Sequence, residues 1–218
     1  MINLTGLTKS YRTSPGRYYV FRDLNVEFPG GVSIGILGRN GAGKSTLLRL
    51  LGGTDRPDCG KIETDGTISW PVGLGTGFQG SLSGRDNVRF VCHAHGLLRE
   101  ETREKIAFVE EFSSVGRHFD LPMNTYSSGM RAKVAFGMSM SFDFDYYLCD
   151  EITAVGDASF NKKSRELFEQ KKLQSHLIMV SHNPSTIRNN CDIGAVISDG
   201  NIHICDSTED AIDYYNAL

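Results

Sequence analysis

The strongest constraint on this chain is a glycine-rich loop between an apolar run and a helical pattern. The loop fits G-x-x-x-x-G-K-[ST] at every constrained position and reads Gly38-Arg39-Asn40-Gly41-Ala42-Gly43-Lys44-Ser45-Thr46. Residues 32–37 before it are typical of a buried strand, and residues 46–51 after it of a helix. This order aims backbone N–H groups and a positive helix end at a phosphate chain. We therefore predict a nucleoside triphosphate site, in which Lys44 reaches the β- and γ-phosphates and Ser45 coordinates Mg²⁺.

The composition is that of an ordinary globular protein. The 218 residues are 39% apolar and 22% charged, which allows one substantial core with an inserted subdomain. A net charge of −3 gives no global positive field, so nucleic acid is not an expected partner. The five cysteines have no C-x-x-C spacing, which favours reduced thiols in the cytosol. We find no apolar run near the roughly 18 residues of a membrane span, and no signal peptide pattern.

The first part of the chain is predicted to be β structure. Residues 2–7 and 18–28 are rich in strand formers, and a turn signal lies between them. Residues 61–70 are interpreted as another short hairpin, with Asp65-Gly66 as its turn. These segments predict an antiparallel β subdomain at the N-terminus.

A helical stretch then interrupts the β pattern. Ser83 and Asp86 form a capping pair that opens a helix. Residues 100–115 form a second amphipathic helix, with Ile106, Val109 and Phe112 on one face. A third helix is expected from Gly129 onwards. We predict an inserted α-helical subdomain over approximately residues 84–141.

The β pattern returns in the last part of the chain. Strands are expected at 144–149 and 177–180, with a helix over 158–172 between them, and Asp199-Gly200 turns a final hairpin. Alternating strands and helices imply a mainly parallel sheet with helices on its faces. The predicted fold is therefore α/β, a phosphate-loop NTPase core with a mainly parallel sheet, as one nucleotide-binding domain over residues 1–218.

Acidic and amide side chains are placed to add a reaction to the triphosphate site. Asp150 and Glu151 end a predicted strand, at the edge where open α/β sheets bind ligands. Asp150 is expected to hold Mg²⁺ through water, and Glu151 to polarise an attacking water. Two adjacent acids after a strand are often only a solvated turn, but the upstream phosphate loop makes the catalytic interpretation preferable here. Gln79, in a glycine-rich loop, can meet both Mg²⁺ and the attacking water.

Two further elements follow the same logic. Ser127-Ser128-Gly129 opens the third helix, where a helix N-terminus favours phosphate. His182 follows a predicted buried strand, as a histidine aimed at a terminal phosphate would. Each signal is weak alone, because a single histidine after a strand is more often structural. Together and in this order they resemble the nucleotide-binding subunit of ABC transporters, along essentially the whole chain.

That resemblance implies roles for particular residues. ATP would be sandwiched between two copies, with Ser127, Ser128 and Gly129 completing the partner's site. Tyr11 matches the aromatic residue that stacks on adenine, and Asp157 ends the loop that couples the two sites. Glu151 looks like the general base and His182 like the switch that contacts the γ-phosphate.

The helix-opening signature departs from the common Ser-Gly-Gly-Gln of the resembled family. Ser128 replaces a glycine, and Met130 replaces the glutamine. Since the first serine and the second glycine are kept, contact with the γ-phosphate is expected to survive. The lost glutamine contacts are expected to weaken closure around the nucleotide.

Four segments resemble the ATPase of Gram-negative capsular polysaccharide exporters, namely residues 68–73, 77–82, 126–130 and 150–157. This resemblance implies ATP and Mg²⁺ as cofactors, and a head-to-tail dimer with a second copy of the chain. It also implies a membrane-embedded transporter subunit as partner and capsular polysaccharide as the transported substrate. The expected location is peripheral, on the cytoplasmic face of the inner membrane. Related O-antigen subunits often carry a C-terminal carbohydrate-binding domain, which a chain ending at Leu218 is expected to lack.

Other functions remain open. A soluble ATPase of the same superfamily, acting in DNA repair or translation, is one rival. The interval between Lys44 and Asp150 leaves no space for the long coiled-coil insertions that such proteins usually carry. A non-catalytic ATP-binding regulator is disfavoured because Glu151 and His182 are both present. Within transport, an O-antigen, teichoic-acid or small-solute exporter is an alternative to the capsule exporter.

Overall fold

The computed structural model describes residues 1–14, 16–72, 77–150 and 157–218. They form two compact units. The first takes its described residues from Met1–Pro71, Phe144–Ile152 and Gln174–Leu218. The second takes its described residues from Val72–Asp143 and Thr153–Leu173. Within the described ranges, no helix is both long and apolar enough to cross a membrane.

The first unit contains two sheets and three helices. Its strands are β1 (Ile2–Thr13), β2 (Gly16–Phe28), β3 (Ile34–Gly38), β4 (Cys59–Thr64), β5 (Tyr146–Asp150), β6 (His176–Val180), β7 (Ile193–Ser198) and β8 (Asn201–Cys205). Its helices are α1 (Lys44–Leu51), α6 (Pro184–Asn190) and α7 (Thr208–Asn216). The smaller sheet has the order β2-β1-β4 and is antiparallel, as expected for the N-terminal β subdomain.

The larger sheet has the order β5-β6-β3-β7-β8. The first four strands are parallel, and β8 returns antiparallel beside β7 through a turn at Asp199-Gly200. Both turn residues have positive φ, 49° and 75°, which is the geometry of a tight two-residue hairpin. Ile34, Ile36 and Leu37 of β3 are fully buried because this strand lies at the centre of the sheet. The α/β fold with a mainly parallel sheet is confirmed.

The hairpin predicted over residues 61–70 is wrong. β4 ends at Thr64, and the chain leaves the smaller sheet instead of turning back along it. The amide and hydroxyl of Thr67 both donate to the carboxylate of Asp145, at 2.7 and 2.8 Å. Ile68 then forms a parallel bridge with Tyr146 at the edge of the larger sheet. A carboxylate distant in sequence therefore redirects the segment that the local turn signal alone would have folded back.

The second unit is helical. Its α-helices are α2 (Gly84–Ala94), α3 (Arg99–Ser113), α4 (Ser128–Ser141) and α5 (Ala158–Lys172), with 3₁₀ turns at Gly116–Asp120 and Met123–Thr125. Ser83 caps α2 by accepting from the amide of Asp86, as the capping pair predicts. Val109 and Phe112 are buried against α4, and Phe112 stacks on Phe136 with ring centroids 5.9 Å apart. The predicted helices at 84, 100, 129 and 158 are thus present.

Candidate nucleotide site

The phosphate loop is held in a shape that only glycine permits. β3 ends at Gly38 and α1 begins at Lys44, so the loop leads directly into a helix N-terminus. Gly41 and Gly43 have φ values of 82° and 110°. A Cβ on Gly43 would lie 2.5 Å from Cγ1 of Val20. Gly43 is therefore required both for its backbone angle and for its close approach to β2.

Lys44 folds back over its own loop. Its ammonium donates to the carbonyl oxygens of Gly38 and Arg39, at 2.6 and 3.0 Å. These bonds hold the cation at the mouth of the loop. A phosphate chain offers charged oxygens that bind an ammonium more strongly than neutral carbonyls do.

Ser45 and Asp150 meet although they are 105 positions apart in sequence. The Ser45 hydroxyl donates to a carboxylate oxygen of Asp150 at 3.1 Å. This meeting follows from the strand order, because β5 and β6 end beside β3 and all three point the same way. A hydroxyl and a carboxylate are hard oxygen ligands, and Mg²⁺ usually takes only one or two protein oxygens beside phosphates and water. The pair therefore fits a magnesium ion.

A cavity of about 450 Å³ joins these groups. It is lined by loop residues 40, 41 and 43–46 and by Asp150, Val180 and His182. His182 follows β6 directly, and the turn there is fixed because the hydroxyl of buried Ser181 accepts from the amide of Asn183 at 3.0 Å. A terminal phosphate in the loop would thus be met by an ammonium, a hydroxyl and an imidazole.

Tyr11, the residue matched to an adenine-stacking aromatic, lines the same cavity. Its hydroxyl donates to Asp55 at 3.0 Å and accepts from Arg49 at 3.2 Å, and the Lys9 ammonium lies 5.1 Å from its ring centroid. Burial acts to raise the pKa of Asp55, but hydrogen bonds from Lys9, the Arg56 amide and Tyr11 together lower it. The hydroxyl end of the Tyr11 ring is therefore held in place by Asp55 and Arg49.

Sequence reasoning missed Tyr18. Tyr18 is the direct cross-strand partner of Tyr11, so both rings stand on the same face of the β1–β2 ribbon. Tyr18 lines the same cavity as Tyr11 and is 53% exposed. The turn signal between the two predicted N-terminal strands could have found it, because a turn fixes the register of the strands it joins.

The remaining residues of the loop are placed as follows. The Arg39 guanidinium donates to the backbone oxygen of Leu218 at 3.1 Å, and Asn40 and Ala42 line a neighbouring cavity of about 530 Å³. Thr46 is buried, and its hydroxyl accepts from Arg49 at 3.3 Å.

The second unit positions the other predicted residues. Gln79 is exposed, and its backbone is fixed at both ends by the buried side chain of Asn87, at 2.8 and 3.1 Å. Asn87 is a supporting residue that no sequence motif signals. Ser127 caps α4 by accepting from the amide of Met130 at 3.2 Å, which leaves Ser128 exposed at the helix start.

Asp157, predicted to couple two sites, caps α5 by accepting from the amide of Phe160 at 2.9 Å. It also forms an ion pair with Lys133 at 2.6 Å. The hydrogen bond from Lys133, followed by that from the Phe160 amide, lowers the pKa of Asp157 to about 2. Glu151, the predicted base, lies outside the described residues, as do residues 152–156 and 73–76.

A glycine loop between a central parallel strand and a helix, with a carboxylate at the end of another parallel strand of the same sheet, defines a nucleoside triphosphate-binding α/β protein. The class is narrowed by comparison with known proteins. The sequence profile of the ABC transporter family matches residues 21–154. The chain belongs to the ABC transporter family.

Similar proteins extend over nearly the whole chain. The polysialic acid transport ATP-binding protein KpsT of Escherichia coli is 56% identical over 202 residues, which cover 93% of this chain and 90% of that protein. The ATP-binding protein BexA of Haemophilus influenzae is 44% identical and covers 99% of this chain and 98% of its own length. The capsule polysaccharide export ATP-binding protein CtrD of Neisseria meningitidis serogroup B is 42% identical over all of both chains.

Solved structures agree with the fold. A dimeric, post-hydrolysis state of the ATP-binding cassette MJ0796 bound to ADP and phosphate has a TM-score of 0.72, covering 93% of this chain and 97% of that chain. Another dimeric structure of this cassette has a TM-score of 0.70 at the same coverage. Both are 20% identical to this chain, so they support its fold and not its particular chemistry.

Proposed function

We propose that this chain is the ATP-hydrolysing subunit that energises export of capsular polysaccharide across the inner membrane. The observation that carries the ATPase assignment is the Ser45–Asp150 contact at 3.1 Å, in one cavity with Lys44 and His182. The substrate assignment rests on the similarity to transport proteins whose names specify polysialic acid and capsule polysaccharide.

In this proposal the residues of the loop, Gly38 to Thr46, hold the triphosphate. Lys44 exchanges its two carbonyl partners for β- and γ-phosphate oxygens. Ser45 and Asp150 would hold Mg²⁺, with Gln79 as a further expected ligand, and the ion would neutralise charge on the β- and γ-phosphates. Tyr11 and Tyr18 provide the aromatic surfaces for the nucleobase.

The proposed hydrolysis needs a proton acceptor, a group that orients the water and a hydrogen-bond donor to the γ-phosphate. The Glu151 carboxylate accepts a proton from the water that attacks the γ-phosphorus, as a general base does, while the bond from this phosphorus to the bridging oxygen breaks and ADP leaves. Gln79 orients that water with its side-chain amide. His182 donates a hydrogen bond to the γ-phosphate, where negative charge must be held in the transition state.

Assembly completes the proposed enzyme. Ser127, Ser128 and Gly129 of a second copy close over the triphosphate, so one nucleotide-binding domain of residues 1–218 acts as half of a head-to-tail dimer. The loop around Gln79 and the helices after it, through residue 95, contact a membrane-embedded transporter subunit. The chain is thereby held peripherally at the cytoplasmic face of the inner membrane, and nucleic acid is not a partner.

The test separates binding from chemistry. Glu151→Gln should slow ATP hydrolysis by about 10²–10⁴-fold while ATP binding persists. Lys44→Ala should abolish nucleotide binding or turnover, because it removes the cation of the loop. Glu166→Gln, a charge loss at an exposed position of α5, is the matched control and should keep the parental rate. Parental hydrolysis by the Glu151 variant would show that the catalytic assignment is wrong.

A separate experiment tests the substrate. A deletion strain should accumulate capsular polysaccharide inside the cell, and the chain should co-purify with a membrane subunit from solubilised membranes. O-antigen export is the second candidate, because an O-antigen export ATP-binding protein of Klebsiella pneumoniae is 34% identical over 95% of this chain. A deletion strain that accumulates O-antigen inside the cell but still exports a normal capsule would favour that candidate.

A further inference from the structure

A separate cavity lies within the helical unit, between α2 and α3. Its volume is about 710 Å³, and four arginines line it: Arg85, Arg89, Arg99 and Arg103. Arg99 and Arg103 line this cleft from α3, and Thr102 between them is buried.

Two of the four guanidinium groups are already neutralised. Arg85 donates to Asp120 at 2.6 Å and to Glu110 at 2.7 Å, and these bonds raise its pKa despite partial burial. Arg89 pairs with Asp86 one turn earlier on α2. These arginines therefore act as fixed walls of the cleft.

The other two carry uncompensated charge. Neither the Arg99 guanidinium nor the Arg103 guanidinium has a hydrogen bond or ion pair with any described residue. They are four positions apart on α3, and like charges at this spacing repel one another and destabilise a helix. An anion between them would relieve that repulsion.

A buried hydroxyl points to the same conclusion. Thr102 is only 5% exposed and lines the cleft, yet its hydroxyl has no hydrogen-bond partner. A buried polar group left without a partner is costly, so such groups in folded proteins usually meet a ligand or an ordered water. An anion seated by Arg99 and Arg103 would supply an acceptor for it.

We propose that this cleft binds a phosphate ester, with Arg99 and Arg103 pairing its oxygens and Thr102 donating to it. Guanidinium groups form planar forks that match phosphate oxygens two at a time. Among the residues that line the cleft, Ile106 and Ala107 are apolar and the others are polar or charged.

Binding is measured with soluble glycerol phosphate on the full chain by thermal shift and calorimetry. The phosphate loop is first filled with a non-hydrolysable ATP analogue and Mg²⁺. The measurement is repeated in Lys44→Ala without nucleotide, so that the result does not depend on the ATP site. The double variant Arg99→Gln/Arg103→Gln should bind at least about tenfold more weakly, since hydrogen bonds to charged groups are each worth roughly that factor.

Two further variants keep the test decisive. Arg117→Gln/Arg165→Gln removes the same charge from exposed positions of the same unit, and it should bind as the parent does. Thr102→Val keeps the side-chain shape, so it should weaken binding several-fold while raising Tm. A higher Tm with unchanged affinity would mean that the hydroxyl is merely unsatisfied, and would overturn its assigned role.

Flotation with lipid vesicles distinguishes a lipid headgroup from a soluble phosphate ester as the ligand. Binding to phosphatidylglycerol vesicles but not to phosphatidylcholine vesicles, lost in the arginine double variant, would identify a lipid headgroup. Binding of glycerol phosphate without vesicle binding would identify a soluble ester. Equal glycerol phosphate binding by the parent and the double variant refutes the proposal. If the double variant also no longer co-purifies with the membrane subunit, the cleft is instead assigned to an acidic protein segment.

Discussion

Replacing Gly43 by alanine tests how β2 shapes the phosphate loop. A Cβ at this position would lie 2.5 Å from Cγ1 of Val20 and 3.0 Å from Cζ of Phe21. The residue also has a φ of 110°, which L-residues rarely adopt. Gly41 of the same loop has a φ of 82°, but a Cβ there would meet nothing within 4 Å. The two glycines therefore separate backbone strain from steric overlap.

The magnitudes follow from these contacts. Left-handed backbone costs a non-glycine residue about 1–2 kcal/mol, and this is the whole expected loss in Gly41→Ala. Overpacking against a buried wall adds about 1–3 kcal/mol, so Gly43→Ala should lose about 2–5 kcal/mol of unfolding free energy. At this chain length the difference between the two variants corresponds to roughly 2–12 °C in Tm. Shortening Val20 to alanine in the Gly43→Ala background should recover part of the loss.

The assay uses the only tryptophan of the chain, Trp70, which lies in the same unit and contacts Phe144 with ring centroids 5.3 Å apart. Its fluorescence follows urea unfolding of the parent, Gly41→Ala, Gly43→Ala, Val20→Ala and the Gly43→Ala/Val20→Ala double variant. ATP affinity should fall more in Gly43→Ala than in Gly41→Ala, because the displaced wall adjoins Lys44. Equal losses in the two variants, or strict additivity with Val20→Ala, would refute the steric argument.

Three further predictions concern single side chains. Ser69→Ala should lose about 1–3 kcal/mol of unfolding free energy, because the buried amide of Leu148 donates to its hydroxyl at 2.9 Å and would have no acceptor. Lys133 lowers the pKa of Asp157 to about 2, so the stability that this carboxylate contributes is fully present above pH 3.8 and is lost as the pH falls through about 2. Asp157→Asn should remove that contribution. The Tm values of the parent and the variant, measured against pH, should therefore converge at low pH. Tyr18→Ala should weaken ATP binding about tenfold by calorimetry, as loss of base stacking does, whereas Tyr18→Phe should bind as the parent; parental affinity in Tyr18→Ala would exclude Tyr18 from the site.

The fold was predictable where local pattern and tertiary structure agree. The capping pair at Ser83 and the turn at Asp199-Gly200 depend on neighbouring residues only, and both formed as expected. The prediction for the segment after β4 was wrong for the opposite reason. Its path is decided by Asp145, which is distant in sequence, and Thr67 gains two hydrogen bonds by leaving the smaller sheet.

The residues of the site likewise fall into those that the sequence identified and those that only the structure identified. The loop from Gly38 to Thr46 was identified by residue type and order, but Tyr18 required the register between β1 and β2. Asn87, which fixes the backbone of Gln79, belongs to no motif and became visible only through its buried hydrogen bonds. Support of this kind leaves no local pattern in the sequence, because many residue types satisfy a buried amide.

The sequence by itself determined that this chain binds a triphosphate, because backbone angles such as those at Gly41 and Gly43 are encoded by contiguous residues. Tertiary structure decided which distant groups share that site. Parallel strand order brings the Asp150 carboxylate within 3.1 Å of the Ser45 hydroxyl, and the packing of α3 against α2 lets Arg85 and Arg89 line the same cleft as Arg99 and Arg103. Contiguous residues specify local geometry, whereas the meeting of separate elements depends on the packing of the whole unit.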